Sequence, residues 1–257
     1  FLESEMLRLG NHEVDLSEMF IVWHTYLAKA RKHVRVHGNL SFSAGGAFHD
    51  VTNMISKFGI VPESVYNGLK YGEEKHVHGE MDRVLLQHID AVIENKNRKL
   101  STVWNEAMEA TLNSYLGEIP QKFEYEGKQF TPQSFASDFV SLNMDDYVEI
   151  SSYTHHPFYS KFILEVPDNW SWDEMYNVPI NELEEIIDYS LKNSFTVAWA
   201  ADVSEKGFVT SNKGVAVLPA KLTKDMSDAE IARWESLSEK DKEKELYQFE
   251  QPVPEMV

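Results

Sequence analysis

No cysteine occurs anywhere in the 257 residues. Disulfides, thiolate metal sites and a thiol nucleophile carried by this stretch are all excluded. The absence assigns no compartment, because a cysteine-free chain is stable in oxidising and reducing surroundings alike. Long apolar runs are also missing: none approaches the roughly 18 residues that a membrane-spanning helix needs. Basic residues are scarce, with 24 Lys and Arg against 42 Asp and Glu, a formal net charge of −18. Nucleic-acid backbones and anionic membrane surfaces would be repelled, so neither is expected as a partner. There is no internal repeat and no low-complexity linker. What remains has ordinary globular composition, 42% apolar and 26% charged, with room for one large domain or two lobes sharing a cleft. Small molecules, peptides or protein partners are the ligands that fit.

Helical patterns dominate the first half. "FLESEMLRLG" is an amphipathic helix met in mid-run, ending near Gly10-Asn11. "DLSEMF" restarts a helix, with Asp15 as cap and Glu18 in the reciprocal position. Further helices are predicted over about 47–58 and through 73–115. Between them, "GIVPES" is an extended link. "EYEGKQF" predicts a hairpin around Gly127, and Thr131-Pro132 opens a short helix. Strand patterns gather later, in 146–153, 161–167, 196–203 and "KGVAVLP", around a strong helix in "PINELEEIIDYSLKNSF". A charged helix starts at Ser227. The fold class is therefore α+β. Both ends, "FLESE" and the extended apolar "QPVPEMV", are expected to be cuts through a larger fold.

Ten histidines invite a metal reading. His33 and His37 have helical i,i+4 spacing, but Arg31, Lys32 and Arg35 crowd them and the acidic residue of an H-E-x-x-H site is missing. His76 and His78 sit in a predicted surface loop, and His155 and His156 in "THHPF" read as a turn before Pro157. No metal or cofactor is assigned. "SFSAGGAFHDV" holds the adjacent glycines Gly45 and Gly46, then His49 and Asp50. It lacks the Gly-Lys-Ser/Thr of a phosphate loop and the G-x-G-x-x-G of a dinucleotide site. Side chains one residue apart on a helix diverge by about 100°, so His49 and Asp50 cannot pair as in a catalytic triad. A glycine pair leaves backbone N–H and C=O open at close range, where an extended peptide can pair as an added strand.

Taken in order, "FLESE", "DLSEMF", "YLAKARKHVRVHG", "GGAFHDV", "GIVPESVY" and "YNVPINELEEIIDYSLKNSFTVAWAADV" resemble the bleomycin hydrolase/aminopeptidase C branch of papain-like cysteine peptidases, nearest to the bacterial aminopeptidase C type. The resemblance implies a two-lobe fold with helical insertions, truncated at both ends. It implies a helical left lobe over 1–66, a helical insertion over 67–130, part of a β-rich right lobe over 131–220, and a charged helical insertion with the start of a strand over 221–257. It further implies a cysteine aminopeptidase acting on peptides, with the Cys, His and Asn outside these residues, or else an inactive homologue that binds without cleaving. Gly45 and Gly46 match the family's substrate-holding pair, with Gly46 pairing directly. Val197 and Ala198 match a strand lining the pocket beside the cleaved bond. A homohexamer and a cytoplasmic location are implied too, although a periplasmic or secreted protein is compatible with the same residues. A hydrolase using the His-rich stretches and a metal is the rival class, distinguished by inhibition with EDTA and not with iodoacetamide.

Overall fold

The computed structural model describes residues 1–72, 74–97 and 99–200, the pairs 208–209 and 215–216, and positions 229, 232, 233, 236 and 238. Contacts group Phe1–Ala198 into one compact unit and Trp199–Val257 into another.

Within the first unit, helix α1 (Leu2–Arg8) leads to α2 (Glu18–Arg35), against which α3 (Phe48–Phe58), α4 (Gly79–Ile93) and α5 (Trp104–Leu116) all pack. Contact on several sides explains why α2 buries Phe20, Trp23, Tyr26, Leu27, Ala30 and Val34 rather than one narrow stripe. A fully buried side chain such as Phe20 contributes roughly 1.5–3 kcal/mol through removal of its apolar surface from water. The cap of α2 is Ser17, not Asp15: Ser17 Oγ accepts the Phe20 N–H at 3.1 Å and donates to the Tyr66 carbonyl. The chain is still extended at Asp15, whose carbonyl accepts the Glu63 N–H, and at Leu16, which bridges Pro62. The helix cannot start before that pairing ends. Residues 59–63 are thereby held as the extended link the sequence predicts.

Helices α4 and α5 face each other through Met81, Leu85 and Ile89 on one side and Met108, Leu112 and Leu116 on the other. Four-residue spacing places each trio on one face. The hairpin β1 (Phe123–Tyr125) and β2 (Lys128–Phe130) turns through Glu126 and Gly127, both at positive φ, as a two-residue loop between twisted strands requires. Thr131 then caps α6 (Pro132–Phe135), with Pro132 in the first turn where its missing N–H costs nothing. Phe123, Phe130, Phe135 and Phe139 complete this end of the core.

A three-stranded sheet follows in the order β3 (Ile150–Ser151), β5 (Glu174–Asn177), β4 (Ser160–Ile163). The β3–β5 pair is parallel and the β4–β5 pair antiparallel. Strand β5 carries only four residues and lies in a stretch, "DEMYN", without a clear alternation signal. Helix α7 (Ile180–Lys192) forms as predicted, but none of its residues is buried. Residues 196–200 are neither strand nor buried, contrary to the strand expected over 196–203. An apolar run becomes a strand only when a neighbour supplies pairing and cover, and among the described strands none pairs with it. Residues 201–203 lie outside the described residues. In the second unit, β6 (Phe208–Val209) pairs antiparallel with β7 (Val215–Ala216), within the predicted "KGVAVLP" strand. Positions 229, 232, 233 and 236 are helical, and most of the charged helix predicted from Ser227 lies outside the described residues. Among the described residues, no helix is long and apolar enough to cross a membrane.

Candidate functional site

The segment 39–47, without regular structure, joins α2 to α3 and carries both glycines. The side chain of Lys29, 2% exposed, crosses beneath it from α2. Its ammonium donates to the Ser43 carbonyl at 2.7 Å and to the Gly45 carbonyl. Burial lowers the Lys29 pKa, opposed by the charges of Asp50, Asp168 and Asp82. On the far side of the pair, the Asp50 carboxylate reaches back from the first turn of α3. Its Oδ2 accepts the Ala47 N–H at 2.9 Å and the Trp170 indole N–H at 2.8 Å. Desolvation raises the Asp50 pKa, and its hydrogen bonds with Ala47 and Trp170 oppose the shift. The loop is thus fixed on both flanks by charged groups that are themselves buried.

Gly46, between those anchors, is exposed. Neither its N–H nor its C=O has a hydrogen-bond partner among the described residues. Neither glycine lies at positive φ, so the requirement for glycine here is space rather than backbone handedness. A Cβ on Gly45 would overlap the Asp168 carboxylate, and one on Gly46 would stand 2.8 Å from Asp50 Oδ2. A pocket of about 160 Å³ opens beside the pair, lined by Ile21, Val22, Thr25 and Tyr26 from α2 and by Asp50 and Val51 from α3. Its walls are mostly apolar, and two of its lining residues each carry a buried side-chain oxygen without a hydrogen-bond partner, Thr25 Oγ1 and Asp50 Oδ1. An apolar recess with a few fixed polar groups and a free backbone edge can hold an extended chain and accept one of its side chains.

His49 and Asp50 do not interact as a hydrogen-bonded pair, as their spacing on α3 predicts. Each instead ties the glycine loop to the sheet region. His49 N–H donates to Glu149 Oε1 at 2.5 Å, its Nδ1 lies 2.9 Å from Glu149 Oε2, and its Nε2 lies 2.8 Å from Ser171 Oγ. Desolvation pulls its pKa down, but the Glu149 hydrogen bond and the charges of Glu149, Asp50 and Asp173 outweigh it and raise the pKa. The side chains of Lys32 and Trp172 extend the same clamp, Lys32 lying 3.7 Å from the Trp172 ring centroid and donating to the Ser171 carbonyl at 2.5 Å. Sequence reasoning missed Glu149, Asp168, Trp170 and Ser171, which stand about 100 or more residues from the loop and carry no local signal.

Val197 and Ala198 are not brought to this pocket; they lie in exposed chain after α7. The other histidines fall into distinct settings. His33 is buried against Phe42, and His76 and His78 precede α4 in the loop foreseen. His155 and His156 occupy a turn as predicted, but Glu165 comes to both of them from beyond β4.

The model of the Peptidase C1-like family matches residues 27–232. The chain is similar to Aminopeptidase G of Lactobacillus delbrueckii subsp. lactis, 26% identical over 196 residues, which cover 67% of this chain and 44% of that protein. In fold it is similar to the crystal structure of PepW from Lactobacillus rhamnosis HN001, with a TM-score of 0.57 and 19% identity over 75% of this chain and 52% of that one. The chain thus spans about half the length of the proteins it matches.

Proposed function

The chain belongs to the Peptidase C1-like family, on the papain-like, bacterial aminopeptidase side of the cysteine peptidases, and we propose on that premise that it forms the substrate cradle of a cysteine-type aminopeptidase. One observation carries the reading. Gly46 is exposed with its N–H and C=O unpartnered, while Gly45 and Ala47 on either side are held by Lys29 and Asp50. A rigid loop with one free edge is what antiparallel pairing with an extended substrate needs. The pocket beside it takes the substrate side chain against the mostly apolar walls of α2 and α3.

The chemistry in this reading is acyl transfer. A thiolate attacks the first peptide carbonyl, the C–N bond breaks with proton delivery to the leaving amine, and water hydrolyses the thioester. The chain has no cysteine, so in this reading the thiol comes from sequence beyond these residues, and its His and Asn partners are proposed to come from there too. This chain's own task is to fix the scissile bond relative to them, since a displacement near 1 Å costs about 10²-fold in rate.

The test uses the full-length protein with aminoacyl-coumarylamide substrates. Hydrolysis abolished by iodoacetamide and insensitive to EDTA supports the peptidase. Loss with EDTA alone sinks it in favour of a metal-dependent hydrolase. Peptide binding without any turnover identifies a non-catalytic binding homologue instead.

A further inference from the structure

Away from the glycine loop, three ligating side chains converge at the edge of the three-stranded sheet. His156 Nε2 lies 3.1 Å from Glu165 Oε2, and His155 Nε2 lies 3.7 Å from the same oxygen. Donor atoms of all three residues lie within 4.8 Å of one another. Adjacent residues on a strand or helix cannot aim both side chains at one point. They do so here because 154–156 form a turn.

That turn is not a loose surface loop. Asn177 of β5, 0% exposed, donates its side-chain amide to the carbonyls of Tyr153 at 2.8 Å, His156 at 3.0 Å and Pro157 at 3.3 Å. Its carbonyl accepts the Tyr153 N–H at 2.8 Å. The imidazoles are oriented in turn by aromatic neighbours. His156 lies over Phe162 with centroids 4.4 Å apart, and Tyr153 stands edge-on to His155 at 5.5 Å. Phe162 is buried on β4, three positions before Glu165. A rigid outer shell around partly exposed donors is the arrangement that pre-forms a metal site.

We propose that His155, His156 and Glu165 form a binding site for one divalent transition-metal ion of the zinc class. Two imidazoles and a carboxylate are a ligand set that zinc uses when a coordination position is left open. In a tetrahedral shell with bonds of about 2.0–2.1 Å, ligand atoms stand about 3.4 Å apart. The separations of 3.1 and 3.7 Å from Glu165 bracket that value, and the two imidazole donor atoms lie within 4.8 Å of each other, so closing the shell takes rotation of the imidazoles as well as of the exposed Glu165. The formal net charge of −18 favours cation capture at long range. Bound there, the ion would tie the 154–156 turn to the segment that follows β4 and leave a position open to water or to a side chain from elsewhere. This site is separate from the glycine loop and independent of the peptidase reading.

The experiment is calorimetric titration of the chelator-stripped, dialysed full-length protein with Zn²⁺ alone. His156→Gln and Glu165→Gln are compared with the reference variant His76→Gln, and far-UV circular dichroism checks the fold of each. These side chains are at least partly exposed, so the variants are expected to fold. The expected result is that His156→Gln and Glu165→Gln each bind one ion fewer per chain than wild type, or bind that ion at least about tenfold more weakly, while His76→Gln matches wild type. Absence of Zn²⁺ uptake by the wild type overturns the site and leaves a surface His–Glu pair. Undiminished binding in folded His156→Gln or Glu165→Gln overturns it as well, placing the ion elsewhere.

Discussion

Acidification tests how α2, which carries Lys29 beneath the glycine loop, is held against α3. His24 of α2 is 8% exposed, stacks on Phe58 of α3 with centroids 4.0 Å apart and planes 8° apart, and meets the edges of Phe20 and Trp23. Its Nε2 is buried without a partner. Burial, followed by the charges of Arg31 and Lys57, pushes its pKa down from 6.5 to about 4. The folded protein therefore keeps His24 neutral where the unfolded chain takes up a proton. Because the unfolded state binds more protons between the two values, stability rises with pH across that window and is lost as pH falls from 6.5 towards 4. Treated as a single linked group, the loss amounts to about 2 kcal/mol at about pH 5 and approaches about 3 kcal/mol below the folded pKa. His24→Phe retains a flat ring against Phe58 and cannot titrate. Denaturant unfolding of wild type and variant at about pH 7 and about pH 5 isolates this group, since the carboxylates common to both proteins largely cancel in the difference. The variant should gain about 2 kcal/mol on the wild type between the two conditions. A gap that changes by less than about 0.5 kcal/mol, the ordinary error of additivity, refutes the buried neutral imidazole.

Two substitutions at the loop separate space from anchoring. Gly46→Ala places a Cβ 2.8 Å from Asp50 Oδ2, so the full-length protein should fold but lose roughly 10²-fold in kcat/KM on aminoacyl substrates as the edge shifts. Unchanged turnover removes Gly46 from substrate pairing. Lys29→Met keeps the buried stem and deletes the ammonium that holds the Ser43 and Gly45 carbonyls; it should cost about 2–3 kcal/mol in denaturant unfolding, the range for losing charged hydrogen bonds, and open the loop to limited proteolysis. A loss under about 0.5 kcal/mol with unaltered proteolysis would show that Lys29 does not fix the loop.

How much of this was legible in the sequence depended on the range of each interaction. Met81, Leu85 and Ile89 announce a buried stripe because the helix repeats within their own spacing. Thr131-Pro132 and Gly127 announce a cap and a turn because their conformational effects act on the next few residues. Asp15 misled because a capping side chain can act only where the helix starts, and that point was set by pairing of Leu16 with Pro62, 46 positions away. The apolar run at 196–200 misled for the same reason, since strand formation is decided by a neighbour the run does not contain.

The glycine loop shows both regimes in one place. Absence of side chains at 45 and 46 is visible in the sequence, and so is the divergence of His49 from Asp50. The reason those glycines cannot be replaced is not visible, because it lies in Asp168 and Asp50 facing them and in Trp170 holding Asp50 in position. Among these, only Asp50 is close in sequence, and it occupies the first turn of α3, where a carboxylate is favoured by the backbone N–H groups in any case. A residue that looks like ordinary helix punctuation therefore also sets the width of the loop. Gly46 can present its backbone because Asp50 is prevented from swinging away by two hydrogen bonds, one to Ala47 and one to a residue 120 positions distant. On that argument the functional edge is a tertiary property. Trp170→Phe removes only the indole N–H bond to Asp50 and part of the ring. It should speed limited proteolysis within residues 39–47 even though no atom of Trp170 belongs to the loop, and an unchanged cleavage rate in the folded variant refutes it.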